Sequence, residues 1–349
     1  MKTKIIRTDE KNINRQAIAQ AGNIIKEGGL VAFPTETVYG LGGDALNVDS
    51  SEKIYAAKGR PSDNPLIIHI AQMDALPKIV KEIPEAAYKL AQRYWPGPLT
   101  MIFEKADCVP LKTTGGLDTV AVRMPSNKIA RALIEAAGGY IAAPSANRSG
   151  RPSPTVAKYV IEDLEGRVDM IIDGGEADIG LESTIIDLTG NKPMILRPGY
   201  ITEEMLEQTL GQVEVDRTII EGNSPEAPKA PGMKYRHYAP KGNLIIVEGQ
   251  ADRVCAYINE QIGIYSSKGQ KTGVIATDET AQSYRADSVK SAGKRWQEEQ
   301  IARHLFRILR EFDDEGVQII YAESFEQKGV GQAIMNRLLK AAGHQVIRL

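Results

Sequence analysis

The sequence predicts an α/β protein, with a twisted mixed sheet and flanking helices first and a smaller Rossmann-like α/β domain after it. Three observations carry this expectation. Up to about residue 210, short apolar runs alternate with helix-period segments, but only some runs are separated by a helix, which argues for a mixed sheet. Residues 211–240 then lose periodicity, and "EGNSPEAPKAPGMKYRHYAP" has four prolines and no room for a core. From 241 onward strands and helices alternate in a βαβ rhythm, the pattern of a mostly parallel sheet. The chain of 349 residues, too long for one small core, is thus divided into a domain over 1–210, a linker over 211–240 that could cover a site, and a domain over 241–349.

The elements follow in order. "INRQAIAQAGNIIKEGG" sets Ile13, Ala17, Ala21 and Ile24 or Ile25 on one helical stripe that ends at Gly28-Gly29. "LVAFPTE" reads as a buried strand, and "DSSEKIYAAKG" as a short helix opened by Asp49 with Glu52 and stopped at Gly59. "LIIHIA", "LTMIFEK", "TVAVRMP", "YIAAPSA", "VDMIIDGG", "STIIDLT" and "MILRPG" are further strands, with "SNKIARALIEAAGG" and "SPTVAKYVIEDLEG" as capped helices. Beyond the linker, "NLIIVEG", "TGVIATDE" and "VQIIYAESF" are strands, and "ADRVCAYINEQI", "EQIARHLFRILREF" and "VGQAIMNRLLKAAG" are helices.

Composition narrows the function. Lys+Arg is 43 against Asp+Glu 45, so no global positive field exists to hold a polyanion, and a stable nucleic-acid complex is not expected. Cys108 and Cys255 stand far apart without a CxxC, and are read as reduced thiols. The four scattered histidines argue against a structural zinc site, and no metal ligands are assigned. "MKTKIIRTDE" lacks an apolar signal core and no apolar run nears membrane-spanning length, so a cytoplasmic protein with no membrane partner is expected. There is no GxxxxGK[ST] loop. "GLGGDA" formally matches a dinucleotide fingerprint, but the next helix starts too late for its glycines to open it.

The chemistry concentrates in a few stretches. In "KGRPSDNPLIIH", Lys58 closes a helix, where a cation answers the helix dipole; Arg60 follows in a loop that Pro61 and Pro65 restrict around Ser62 and Asn64. Arginine suits bidentate phosphate recognition and lysine supplies a compact charge, so the pair is a candidate phosphate grip. On the next strand Ile67 and His69 share a face opposite Leu66, Ile68 and Ile70. "GLDTVAVRMP" places Thr119, Ala121 and Arg123 on one face. Such an arginine needs an anion, either a ligand or a structural acid. "AAPSANRSGRPSPT" lines Ser145, Asn147, Ser149 and Ser153 along a loop leading into a helix near Thr155, which suits either an anion or plain capping. "GLESTIID" and "ILRPG" contribute Ser183 and Arg197. The linker's Tyr235, Arg236, His237 and Tyr238 have no core of their own and must dock on a neighbour or a ligand.

Together, "FPTETVYGLG", "KGRPSDNPLIIHI", "WPGPLT", "GLDTVAVRMP", "APSANRSGRPSPT", "LESTIID", "LRPG" and "APGMKYRHYAP", in order across residues 33–240, resemble the threonylcarbamoyl-AMP synthase family in its longer two-domain form with a YrdC-like first domain. The resemblance implies that L-threonine, bicarbonate or CO2, and ATP give threonylcarbamoyl-adenylate and pyrophosphate. That product would serve the t6A modification at position 37 of tRNAs reading ANN codons through a downstream threonylcarbamoyl transferase. ATP would be a substrate, with Mg2+ carried on its phosphates. The resemblance assigns Lys58 and Arg60 as catalytic, and assigns ATP to them with Asn64, Thr119, Ser145, Asn147, Ser153, Arg197 and Tyr238. It assigns L-threonine to Thr37, His69, Arg123, Ala143 and Ser183. A double-stranded-RNA-binding module, a carbamoyl transferase of the hydrogenase-maturation kind and a non-catalytic nucleotide sensor are the rivals.

Overall fold

The computed structural model describes residues 2–216 and 237–349. Most of the expected linker, with Tyr235 and Arg236, lies outside the described residues. Residues 150–152 and 179–181 group with the C-terminal unit, and the remaining described residues up to 216 form the first.

The first unit is built on an eleven-stranded sheet. Its strands are β1 (Lys4–Arg7), β2 (Val31–Phe33), β3 (Gly40–Asp44), β4 (Ile67–His69), β5 (Leu99–Glu104) and β6 (Thr119–Arg123). They continue with β7 (Ile141–Ala142), β8 (Met170–Asp173), β9 (Thr184–Asp187), β10 (Met194–Arg197) and β11 (Glu214–Val215). The spatial order is β1-β8-β2-β3-β7-β4-β6-β5-β9-β10-β11. Parallel pairs such as β4–β6 and β5–β9 sit beside antiparallel ones such as β5–β6 and β3–β7. The sheet is mixed, as the irregular spacing of strands and helices predicts. Because β11 pairs with β10, the sheet reaches into residues expected to be linker.

Period-two alternation divides the core between the two faces. Ala32, Leu41, Leu66, Ile68, Val120 and Val122 join one apolar cluster. Val31, Phe33 and Ile141 join another, with Ile18, Ala21 and Ile25 of the helix Arg15–Lys26 and Ile129, Leu133 and Ile134 of the helix Lys128–Ala136. Glycine permits close approach at two places here. A Cβ on Gly22 would lie 2.6 Å from the backbone carbonyl of Ala136, so the two helices touch where that side chain is missing. In "GLGGDA" the glycines form β3 rather than a phosphate loop, and a Cβ on Gly42 would stand 2.7 Å from Ile141 Cγ2. Strand β3 escapes a propensity reading because glycine is depleted in strands generally.

Local capping differs in detail from the sequence expectation. The helix Val48–Lys58 is capped by Asn47, whose side chain accepts from the Asp49 N–H, not by Asp49 itself; Gly59 closes it in the left-handed conformation, as expected. Short amphipathic helices at Glu85–Tyr94 and Glu203–Leu210 were not anticipated.

The C-terminal unit carries a five-stranded sheet of β12 (Asn243–Glu248), β13 (Thr272–Ala276), β14 (Ser288–Ser291), β15 (Ile319–Glu323) and β16 (Val346–Arg348), ordered β14-β13-β15-β12-β16. Every neighbouring pair is parallel. Strands β14 and β16, half-buried at the edges, lack the apolar runs that reveal the three central strands. Val254, Ile258 and Ile262 of the helix Ala251–Ser266 pack on Ile245, Val247, Val274 and Tyr321. No helix among the described residues is long and apolar enough to cross a membrane. Cys108 is exposed and Cys255 half-buried, and both are free thiols.

The Gly22 contact yields a stability test. Gly→Ala ordinarily stabilises a helix by about 1 kcal/mol, but here the new methyl meets backbone that cannot give way. Overpacking of this kind costs ~1–3 kcal/mol. Gly22→Ala is therefore expected to lower the urea midpoint, and a raised midpoint would refute the close helix contact.

Candidate active site

Three adjacent strands set the site. In the parallel register Ile67 lies beside Ala121 and His69 beside Arg123, while antiparallel β7 sets Ile141 beside His69 and Ala142 beside Ile68. The chain leaving β7 therefore runs back toward the start of β4. It carries Ala143, whose N–H donates to Ile67, and then Ser145 and Asn147. These residues arrive at the loop that holds Lys58 and Arg60.

Lys58 is almost fully buried. Its Nζ donates to the carbonyl of Ser145 and, at 2.6 Å, to that of Asn147, while the Ser149 N–H donates to the carbonyl of Lys58. The KxR and SxN pairs, far apart in sequence, are thus brought together. Arg60 donates to the carbonyls of Asn64 at 3.4 Å and Pro65 at 3.1 Å, so its guanidinium folds back over the proline-stiffened loop. Asn64 is 1% exposed, and its Oδ1 is buried with no hydrogen-bond partner among the described residues. Thr119 stands two residues before Ala121 on β6, at about the level of Pro65. This end of the strands is cationic, rich in hydroxyl and amide groups, and edged by prolines.

The other end is organised by Arg123, 4% exposed. Its Nη1 donates to Thr37 Oγ1 at 2.8 Å, its Nη2 to Glu36 Oε1 at 2.7 Å and its Nε to the Gly97 carbonyl at 3.3 Å. Glu36 itself went unnoticed in the sequence, although "FPTE" ends on it. The partner that Arg123 required is a structural acid, held beside residues assigned to threonine. Burial alone would raise the Glu36 carboxyl, but the charge and hydrogen bond of Arg123 outweigh it and hold the group below the usual carboxylate range. Glu36 Oε2 is buried with no hydrogen-bond partner among the described residues.

His69 is buried against the edge of Phe33, with ring centroids 6.3 Å apart. Its Nδ1 lies 3.1 Å from the Ile67 carbonyl. A carbonyl only accepts, so a proton on Nδ1 satisfies this contact, and the Ile141 carbonyl also acts on the ring. Burial first, and the Arg123 charge second, push its pKa down to about 3, so the ring is neutral near pH 7.

Beyond Arg123 the polar line continues. Thr100, the register partner of Arg123 on β5, shares a 2.7 Å hydrogen bond with Ser183. Arg197 then donates to the Ser183 carbonyl at 3.0 Å and to its Oγ at 3.1 Å. Ser153 donates to Glu182 at 2.6 Å, a second acid the sequence reading did not single out. Tyr238 belongs to the C-terminal unit, where it adopts φ 66°, stacks on Phe306 at 4.9 Å and lies under the Arg337 guanidinium at 5.8 Å. The described residues include no group of three or more His, Cys, Asp or Glu side chains placed to hold a metal. Glu36 accepts from Arg123 and Glu182 from Ser153, each through one carboxylate oxygen.

Comparison with known proteins decides the family. Residues 23–199 match a family model described as "Telomere recombination", and residues 201–343 match one described as "Threonylcarbamoyl-AMP synthase, C-terminal domain". A threonylcarbamoyl-AMP synthase of Pyrococcus abyssi is 51% identical over 99% of this chain and 100% of its own. The chain belongs to the threonylcarbamoyl-AMP synthase family. The Bacillus subtilis relative of that name is 50% identical over 100% of both chains. A crystal structure of Pyrococcus abyssi Sua5 complexed with L-threonine aligns with TM-score 0.94 at 50% identity, covering 100% of each chain. As a member of this family the protein is an enzyme, a nucleotidyltransferase. Its fold is that of the family's crystal structures.

The buried histidine and acid set a pH dependence. The folded pKa of His69, about 3, is below its unfolded value of 6.5, so between those values the unfolded chain binds the extra proton and stability falls as pH drops. The cost at pH 5 is of order 2 kcal/mol. His69→Gln is expected to flatten the change in unfolding free energy between pH 7 and 5, and an unaltered slope would refute a neutral buried ring. Glu36, also depressed, adds stability above its unfolded value that is lost as pH falls through the folded one. Glu36→Gln strands a buried guanidinium, and is expected to cost ~3–5 kcal/mol in denaturant unfolding.

Proposed function

We propose that this protein is an L-threonylcarbamoyladenylate synthase that joins L-threonine, bicarbonate or CO2, and ATP into threonylcarbamoyl-AMP and pyrophosphate. The observation that carries the reading is the gathering of Lys58, Arg60, Asn64, Ser145 and Asn147 at one end of β4, β6 and β7, with Thr37, His69 and Arg123 at the other. From Thr119 to Arg123 the strand advances ~13 Å, about the reach between an α-phosphate's tail and a small amino acid laid beside it. The L-threonine complex of the Pyrococcus abyssi relative supports the amino-acid end.

The threonine amine, once deprotonated to NH2, adds to CO2 and releases one further proton to solvent, which leaves a carbamate. A carbamate oxygen forms a bond to the α-phosphorus of ATP as the bond to the pyrophosphate oxygen breaks. Two anions must meet, so most of the catalysis is positioning and charge neutralisation. Lys58 and Arg60 would turn from backbone carbonyls to phosphoryl oxygens, with Ser153, Thr119 and Arg197 completing the nucleotide's contacts. The open amide oxygen of Asn64 is an acceptor awaiting a donor. Neutral His69, Thr37, Ala143 and Ser183 would frame the amino acid. Magnesium would arrive on the nucleotide's phosphates and neutralise charge there, and no step is assigned to a protein-held metal. The product would pass to a threonylcarbamoyl transferase for t6A at position 37 of tRNAs reading ANN codons, in the cytoplasm. We keep the division into a catalytic domain, a linker and residues 241–349 as a functional proposal, with β11 (Glu214–Val215) moved from the linker into the catalytic domain's sheet.

Pyrophosphate release, measured with threonine, bicarbonate and ATP omitted in turn, is expected to require all three. Lys58→Ala and Arg60→Ala, shown to be folded by circular dichroism, are expected to lose roughly 10²–10³-fold in rate, the usual loss when one electrostatic donor is removed. Wild-type rates in both variants would reject the phosphate assignment.

A further inference from the structure

The C-terminal unit contains a cavity that the proposed reaction does not use. It measures about 220 Å³ and is lined by Val247, Gly249, Ala251, Val254, Arg295, Glu323 and Ser324. Its place follows from the strand order. β12 is followed by a helix that leads past β15 to β13, whereas β15 is followed by one that leads past β12 to β16. These two hydrogen-bonded neighbours send the chain in opposite directions, and right-handed crossovers then put the two helices on opposite faces. A crevice opens outside the carboxyl ends of such a strand pair, where open α/β sheets bind ligands. Val247 and Gly249 come from the end of β12, Glu323 and Ser324 from the end of β15, so the cavity lies in that crevice.

A buried polar set fixes its one cation. Glu323, 3% exposed, accepts from Thr280 Oγ1 and, at 2.7 Å, from the Tyr284 hydroxyl, while its other oxygen pairs with Arg295 Nη2. Arg295 Nη1 donates to the Ser324 carbonyl at 3.1 Å, and the guanidinium lies over the Phe325 ring at 5.9 Å. A guanidinium carries five N–H donors, and these contacts use only part of the fork. The arginine side chain stays 41% exposed, so it is oriented from below and open above. A buried carboxylate with two hydroxyl partners is costly to maintain merely to hold a surface arginine. The walls opposite are apolar, from Val247 and Val254, and the helix starting at Ala251 has no side-chain cap on its first turn. The volume is below the ~300–1,000 Å³ of sites for whole drug-sized molecules, and suits one phosphoryl group on a short stem.

We propose that this switch-point cavity is a second ligand site, distinct from the catalytic one, that takes a small phosphate-bearing molecule on Arg295. The site stands on its own geometry and does not depend on the reaction proposed above.

Trp296 reports on it. The chain has two tryptophans; Trp296 is 70% exposed beside Arg295, whereas Trp95 is buried in the first unit. Full-length protein is titrated with inorganic phosphate, AMP or acetate while indole emission is followed, and Trp296→Phe identifies the Trp296 component. Saturation by phosphate or AMP is expected, retained when the other phosphate grip is removed in Arg60→Ala and weakened at least tenfold in Arg295→Ala. Since Arg295→Ala also strips Glu323 of its cation, Ala251→Phe is the second variant. Position 251 is exposed and lines the cavity, so a ring there is expected to occupy it while Glu323 keeps its pairing with Arg295. A Trp296 response absent with phosphate and AMP, matched by acetate, lost in Arg60→Ala, or unchanged in both Arg295→Ala and Ala251→Phe would overturn the proposal.

Discussion

The first unit is organised around a buried guanidinium. Arg123 sits inside an apolar strand, between Val122 and Met124, where an unpaired charge would be prohibitively costly. Glu36 compensates that charge, while Thr37 and the Gly97 carbonyl take further donors. Three separated stretches, "FPTET", "WPGP" and "TVAVR", are therefore held in one place by a single side chain. The arrangement also shapes its neighbours. The arginine's charge helps to keep His69 neutral, and the register partner of Arg123, Thr100, passes the polar line to Ser183 and Arg197.

Backbone does comparable work at the other end. Lys58 and Arg60 are stored against carbonyls of Ser145, Asn147, Asn64 and Pro65. These carbonyl dipoles orient both cations and hold them at this end of the strands. A preformed positive pocket lowers the ordering cost of binding a polyphosphate. It also removes the need for a strongly basic surface, consistent with a chain whose charges nearly balance.

The two sheets solve different problems. The mixed eleven-stranded sheet lets β7 return antiparallel beside β4, which is what brings the serine- and asparagine-bearing loop back to the lysine. The parallel five-stranded sheet has no such return; it instead presents all its strand ends on one edge, with a crevice where the chain reverses direction. Each sheet type thus favours its own kind of pocket.

Much was legible in the sequence by itself. Period-two and helix-period patterns identified the central strands and most helices, because burial on one face leaves that imprint directly. Residue chemistry marked Lys58, Arg60, Arg123, Ser145 and Asn147, since fixed cations, stiffened loops and a charge inside an apolar strand are unusual locally. Glycine-bearing β3 and the edge strands β14 and β16 escaped, because their pairing is decided by neighbours rather than by their own propensity. Glu36 escaped for a related reason: an acid after Pro-Thr looks like any surface residue until Arg123, 87 positions away, lies 2.7 Å from it. The sequence alone determined which groups exist and which segments are rigid. Tertiary structure decided which carboxylate answers which cation, because that depends on strand register across distant stretches, and register is set by the packing of the whole sheet.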